Sequence, residues 1–224
     1  MREKPILIIA GPSAGGKTTL SEKVMELFST FRPVRSVTTR APRGDRHDDE
    51  YTYVSRERFF EMVREGELLE HAEYSGDLYG TPRAEIDRIH DEGCVPLLVL
   101  NLEGVASLAA AIEYDVCALY VFSDPNVAEQ RLYDRYIGES PTPEGLARFV
   151  RRKDQNLEDY AILPSMAALF YATVENFTTV SDAVVSITMT YGAFARGEQR
   201  QAEKVSSDFE ALADFARRKT ENAR

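Results

Sequence analysis

Apolar and polar positions change along this chain in blocks that read as alternating strands and helices. Pro5-Ile6-Leu7-Ile8-Ile9-Ala10 is a short unbroken apolar run, suited to a strand buried on both faces. Leu20, Val24, Leu27 and Phe28 follow at the spacing of one helical face. Val34 to Thr39 is rich in β-branched residues and predicts a strand, then a polar turn through Pro42, Gly44 and Asp45. Tyr51 to Val54 is a short strand, and Ser55 caps a helix whose apolar positions include Phe59, Met62 and Val63. Gly66 ends that helix, and Leu68-Leu69 opens another extended piece. Thr81-Pro82 predicts a helix start, a hydroxyl cap followed by proline in the first turn.

Val95 to Asn101 and Val116 to Phe122 read as central strands. Asp124-Pro125 caps a helix running through Arg131, residues 138–143 form a loop, and Leu146 to Tyr160 is a polar, arginine-rich helix. Phe170 to Val174 is the last strand, with a helix beyond Ser181. From about Gly197 the chain is mostly charged, with a weak apolar stripe at Phe209, Leu212, Phe215 and Ala216. That predicts a frayed or docked C-terminal helix. Strand–helix alternation of this kind implies a parallel sheet covered on both faces.

The turn between the first strand and first helix carries the chemistry. Gly11 to Thr18 read G-P-S-A-G-G-K-T, matching G-x-x-x-x-G-K-[ST] at every fixed position. Glycines let such a backbone fold round phosphate oxygens and aim its amides inward, where the helix N-terminus adds positive potential. Lys17 is placed to reach the terminal phosphates of a nucleoside triphosphate, and the Thr18 hydroxyl to bind Mg²⁺.

Composition narrows the class. The 224 residues suit one α/β domain carrying inserted lobes, and 43% hydrophobic residues are enough for a core. No apolar run approaches the roughly 20 residues of a membrane helix. The strand beginning at Pro5 leaves no room for a signal peptide. Cys94 and Cys117 sit beside or inside apolar runs and read as buried free thiols. A cytoplasmic protein with no membrane contact is expected.

The net charge of −10 excludes a general nucleic-acid binder. Positive charge is instead concentrated locally, at Arg32, Arg35, Arg40, Arg43 and Arg46, and again at Arg131, Arg135, Arg148, Arg151 and Arg152. Arginine is favoured where phosphate is gripped by two parallel hydrogen bonds.

Three further stretches lie in order between Ser36 and Arg83: S-V-T-T-R-A-P-R, Y-T-Y-V-S and L-L-E-H-A-E-Y-S-G-D-L-Y-G-T-P-R. Together with the phosphate loop they resemble the guanylate kinase family, in good register from about residue 5 to 135 and more loosely to about 190. The resemblance implies a three-layer P-loop NTPase fold. Its central parallel sheet would carry an inserted mixed α/β monophosphate-binding lobe and a small helical lid. Residues 1–33 and 91–195 would form the core, with the lid at about 132–150. Residues 34–90 would form the GMP lobe, and 196–224 a charged, helical extension.

Transfer of the γ-phosphoryl group of Mg-ATP to GMP or dGMP is the implied activity, with Mg²⁺ as cofactor. Gly11, Ser13, Ala14, Gly15, Gly16, Lys17, Thr18, Thr19 and Asn176 would hold ATP. Arg40, Arg43, Tyr51 and Tyr79 would hold the acceptor's phosphate, and Glu70, Ser36 and Thr81 would read guanine. A carboxylate accepts from the guanine ring N–H and exocyclic amine together, a donor pair that adenine lacks. Arg131, Arg135 and Arg148 would close on the transferring phosphate. The three histidines, His47, His71 and His90, read as surface or structural. Monomer and homodimer are both compatible with the chain.

Two departures matter. Where the family carries an acidic D-x-D at the end of the third core strand, this chain has Val99-Leu100-Asn101. Asn101 would still accept from the guanine amine through its amide oxygen, and Glu103 stands ready to restore charge. The turn between Arg43 and Tyr51 is one residue short, moving Asp45 into the family's acidic position. Two other readings stay open beside GMP phosphorylation. One is a kinase of the same fold with a different acceptor, such as ribose 1,5-bisphosphate. The other is a non-catalytic interaction domain.

Overall fold

The apolar run at residues 5–10 forms strand β1 (Pro5–Ala10), and the structure shows why it has no polar face. Leu7 and Ile9 point into one core cluster and Ile6, Ile8 and Ala10 into another, on opposite sides of the sheet. The computed structural model describes residues 3–42, 44, 48, 51–74, 76–110, 113–138, 141–177 and 179–221. After β1 come α1 (Lys17–Leu27), β2 (Phe31–Pro33), β3 (Ser36–Thr38), β4 (Tyr51–Tyr53), α2 (Arg56–Arg64), β5 (Leu68–Tyr74) and β6 (Asp77–Pro82). Next are α3 (Arg83–Asp91), β7 (Val95–Val99), α4 (Leu102–Ala109), β8 (Asp115–Phe122) and α5 (Pro125–Tyr136). The chain ends with α6 (Pro143–Met166), β9 (Ala172–Glu175), α7 (Val180–Ala195) and α8 (Ala202–Glu221).

Two sheets organise these elements. The core sheet has the order β2-β7-β1-β8-β9, with every neighbouring pair parallel. Helices α1 and α7 cover one face, while α4, α6 and α8 cover the other. The second sheet, β4-β3-β6-β5, is mixed: β3 pairs parallel with β4 and antiparallel with β6, which pairs antiparallel with β5. Helix α2 covers one of its faces through Phe59 and Met62, packed with Val37 and Leu78.

Local signals account for most helix starts. Ser55 accepts from the Arg58 N–H at the start of α2. Asp124 accepts from two amides of α5 with Pro125 in its first turn. Thr142 caps α6, which begins three residues earlier than the arginine-rich run predicts. Thr81 departs from expectation. Pro82, not Thr81, caps α3, and the Thr81 hydroxyl is committed inside the second sheet.

Helix α4 went unpredicted. Its sequence, Leu-Glu-Gly-Val-Ala-Ser-Leu-Ala, is short and nearly all small or apolar, without the polar face that betrays a surface helix. The weak stripe near the C-terminus proves to be core. Val205, Phe209, Leu212 and Ala216 of α8 are buried against Tyr120, Tyr160 and Phe170. Phe209 meets the rings of Tyr120 and Phe170 edge-on, at centroid separations of 5.1 and 5.3 Å. Cys117 is a buried free thiol, as expected, whereas Cys94 is free but only half-buried, beyond the end of α3 and just before β7. Among the described residues, no helix is long and apolar enough to cross a membrane.

Candidate active site

The phosphate loop sits where β1 gives way to α1, at the carboxyl end of the parallel sheet, where open α/β sheets bind their ligands. Two of its glycines are required by contact. A Cβ on Gly11 would lie 2.0 Å from the Val121 carbonyl oxygen of neighbouring β8. Gly16, at φ 98°, would place one 2.4 Å from the Asn176 side-chain nitrogen. Between them Ala14 holds φ 63°, the one non-glycine residue with positive φ among those described. Such a conformation costs roughly 1–2 kcal/mol.

Lys17 curls back over the loop, its Nζ donating to the Gly11 and Pro12 carbonyls at 2.8 Å each. Burial pushes its ammonium down to about 8; Asp159 opposes that shift, while Arg152 and Arg135 reinforce it. Ser13, Ala14, Gly16 and Lys17 of the loop, with Thr18 and Thr19, line a cleft of about 230 Å³ together with Arg135, Tyr136 and Arg152. A wider groove of 690 Å³ runs along the outer face of α6 past Leu146 and Val150. It touches no atom of the phosphate loop, and the charged groups converge on the smaller cleft.

The arginines divide by geometry. Arg131 of α5 lies 3.5 Å from the Ala14 carbonyl, and Arg135, one turn on, lines the cleft. On α6 it is Arg152 that reaches the cleft, whereas Arg148, a turn earlier, is exposed. Asn156 and Asp159 continue the same helical face. Asn156 exchanges two hydrogen bonds with the Ser13 peptide, and Asp159 faces Lys17. Burial raises the Asp159 carboxyl, against the Gln155 amide and the Lys17 charge. From beyond β9, Asn176 donates to the Gly15 carbonyl at 3.1 Å.

The second group of predicted residues gathers on one face of the mixed sheet. Ser36 pairs in register with Tyr51, and the Tyr51 and Tyr79 rings stand 6.0 Å apart. Arg40 is nearly buried, its guanidinium 5.2 Å from the Tyr51 ring centre and 6.0 Å from that of Tyr53. Its Nη2 donates to Tyr53 at 3.3 Å and to Asp48 at 3.4 Å, and Tyr53 in turn donates to Asp48. Among the described residues its Nη1 has no hydrogen-bond partner, an expensive state for a buried cationic donor. Arg43 lies outside the described residues, as do Asp45, Arg46 and His47.

Glu70 lies opposite Thr81 in the β5–β6 register and accepts its hydroxyl proton at 2.5 Å. Burial pushes the Glu70 carboxyl above the usual range; Thr81 and His71 oppose this, and nearby Glu103 adds to it. Glu103 itself is exposed in the first turn of α4. The Asn101 amide oxygen takes a different partner from the one its position suggests, capping α4 by accepting from Gly104 N–H at 2.8 Å. Of the histidines, His90 bonds the Pro5 carbonyl and His71 stacks edge-on against Phe59.

For a metal, the described residues hold no cluster of three or more His, Cys, Asp or Glu side chains. Thr18 offers one exposed hydroxyl at the loop, and Val99 stands at the end of β7. That donor set fits a Mg²⁺ carried in by phosphates and water, the habit of this ion.

Reading residues alone missed Arg152, Asn156 and Asp159 as site residues, and Tyr53 as well. The i, i+4, i+7 spacing of the first three marks one helical face. The Tyr51-x-Tyr53 alternation likewise puts both phenols on one side of β4.

A phosphate loop feeding a parallel sheet, two arginine-bearing helices facing it, and a second sheet with a buried guanidinium, phenols and a buried acid define a phosphate-loop kinase. A model of the guanylate kinase family matches residues 2–158, and the chain belongs to that family. The guanylate kinase of Sus scrofa is 33% identical over 157 residues, covering 68% of this chain and 76% of the pig protein. That of Lactococcus lactis is 32% identical over 171 residues, covering 73% and 82%. The Rubrobacter xylanophilus guanylate kinase is 39% identical over 105 residues, and there the chain spans only 55% of its relative's length. Among solved structures, the guanylate kinase of Anaplasma phagocytophilum superposes with a TM-score of 0.58 at 22% identity, covering 85% of this chain and 86% of that one. It shares the fold.

Proposed function

We propose that this chain transfers the γ-phosphoryl group of Mg-ATP to GMP, and to dGMP, giving ADP and the nucleoside diphosphate. The observation that carries the reading is the pairing on one sheet face of two complementary devices. Glu70, oriented by Thr81, is the guanine reader, and Arg40 with Tyr51 and Tyr79 is the phosphomonoester grip. The unpartnered Nη1 of Arg40 is a donor waiting for an anionic oxygen.

No covalent intermediate is needed. Phosphoryl transfer asks for in-line positioning and for neutralising charge on the transferred oxygens. Mg²⁺, when bound beside Thr18, supplies part of that neutralisation. Lys17 must leave the Gly11 and Pro12 carbonyls and turn to the phosphates, regaining there the charge that burial disfavours. Arg131, Arg135 and Arg152 act on the same oxygens from α5 and α6, the helices that lead into and out of the lid at about 132–150. Arg40 and the phenols, with Arg43 beside them in sequence, orient the acceptor. Closing the lobes excludes water, which would otherwise accept the phosphoryl group.

One observation favours a different acceptor. The acidic pair of the family is absent, Val99 is apolar, and the Asn101 oxygen already serves a helix cap. ADP release with GMP, dGMP, AMP, CMP, UMP and ribose 1,5-bisphosphate separates the readings. Selectivity for GMP and dGMP supports the proposal, and activity only with the sugar phosphate replaces it. ATP binding without any turnover would point to an interaction module.

A further inference from the structure

Ala14 is held in a left-handed conformation that an L-residue rarely adopts, and it is bracketed by two asparagine contacts. On its N-terminal side Asn156 accepts from the Ser13 N–H at 2.8 Å and donates to the Ser13 carbonyl at 3.1 Å. On its C-terminal side Asn176 donates to the Gly15 carbonyl at 3.1 Å. Strained backbone of this kind persists only where its surroundings over-determine it. Asn156 is only 5% exposed and comes from α6, 143 residues away in sequence. A carboxamide carries a donor and an acceptor in the same plane, so it answers the N–H and C=O of one residue together.

Resting on the donor-site reading above, we infer that Asn156 is a positioning residue for ATP. By clamping the Ser13 peptide to α6, it holds the phosphate loop in its nucleotide-receptive shape and ties that shape to the helix bearing Arg152. Without the clamp, Ser13 loses both partners, Ala14 relaxes toward ordinary dihedrals, and the amides that should converge on phosphate diverge. Because Arg152 lies one turn away on the same helix, the loop and this arginine move as one piece. The acceptor side, built on the other sheet, makes no use of the clamp.

The test measures binding of Mg-AMP-PNP and of GMP separately by calorimetry, with steady-state kinetics, on the full chain. In Asn156→Ala we expect AMP-PNP affinity to fall roughly tenfold, the loss of two modest hydrogen bonds shared between folding and binding. KM for ATP should rise by a similar factor, kcat should fall less, and GMP affinity should stay within about twofold. Asn156→Asp preserves volume and the acceptor but sets a carboxylate against the Ser13 carbonyl, so it should impair AMP-PNP binding at least as much. It also decides the matter if the alanine variant fails to fold. Unchanged AMP-PNP affinity in a folded variant overturns the inference, and so does an equal loss of GMP affinity. Failure of the unaltered chain to bind AMP-PNP would overturn the donor-site reading itself.

Discussion

Glu70 and Thr81 face each other across the β5–β6 ladder, and the threonine hydroxyl donates to the carboxylate at 2.5 Å inside a buried site. The carboxylate is held there against its own desolvation, which pushes its pKa upward. A raised carboxyl pKa means that the folded state favours the protonated form. Its stabilising contribution is therefore present at acid pH and lost as pH rises through the folded pKa. At neutral pH the ionised Glu70 works against stability, the cost the proposed guanine contact would offset. Glu70→Gln should raise stability by on the order of 1 kcal/mol. The same change should cut kcat/KM for GMP roughly 100-fold or more, since a charge-assisted pair of bonds is lost. Thermal melting and GMP kinetics on one preparation check both arms, and a variant that keeps GMP turnover removes Glu70 from guanine recognition.

Arg40 supplies the second acceptor prediction. Its Nη2 is occupied by Tyr53 and Asp48, so the free Nη1 is the atom left for phosphate. Arg40→Ala should lower kcat/KM for GMP by about 100- to 1,000-fold, the scale of losing a charge-assisted contact in the transition state. ATP affinity should barely change. Unaffected catalysis in this variant, alongside an inactive Lys17→Ala, would refute the acceptor site.

Two arginines a single turn apart should behave differently. Arg152 lines the cleft beside Lys17 whereas Arg148 is exposed. Arg152→Ala is expected to reduce kcat by roughly 100-fold, and Arg148→Ala by under about fivefold, surface charge being worth little. Equal losses would mean that closure brings Arg148 in as well.

If Lys17 meets the triphosphate as proposed, ATP binding should depend on pH. The Lys17 pKa of about 8 in the free protein lies below the ordinary lysine value, because burial disfavours the charged form. The unfolded chain holds that proton up to about 10.4. The stability penalty is therefore full below pH 8 and relieved as pH rises from 8 to that value. Binding runs the other way. A triphosphate needs the ammonium, so affinity should weaken above pH 8, by up to about tenfold per pH unit. Calorimetry in two buffers of different ionisation heat should show proton uptake near pH 8.5, and no uptake would contradict the assignment.

Helix α8 belongs to the core although it lies beyond the residues that match the family model. Phe209 is fully buried between Tyr120 and Phe170. Phe209→Ala should destabilise the protein by about 3–5 kcal/mol, the usual cost of a large cavity, measured as a fall in the denaturant midpoint. A chain ending near Gly197 should expose the apolar face of α6 and aggregate or unfold. A well-folded truncation would show α8 to be dispensable.

Much of the site follows from local chemistry. The phosphate loop is legible because its demands are met within eight residues: glycine where backbone crowds, lysine and threonine where the helix begins. Ser36, Tyr51, Glu70, Tyr79 and Thr81 were legible through the resemblance to the family, and the strand register then explains why they share one face. Three-dimensional packing settled the remainder. A helix such as α6 presents arginines at 148, 151 and 152 in every direction. Only its seating against α5 and α8 decides that Arg152 lines the cleft beside Lys17 and Asn156 meets Ser13. Thr81 was read as a helix cap, yet the β5–β6 ladder sets its hydroxyl against Glu70; Asn101 was read as a guanine acceptor, yet its oxygen caps α4 three residues on. Periodicity records which way a side chain points along its own element. Which group waits there depends on contacts between residues more than a hundred positions apart, and those exist only once the core has closed.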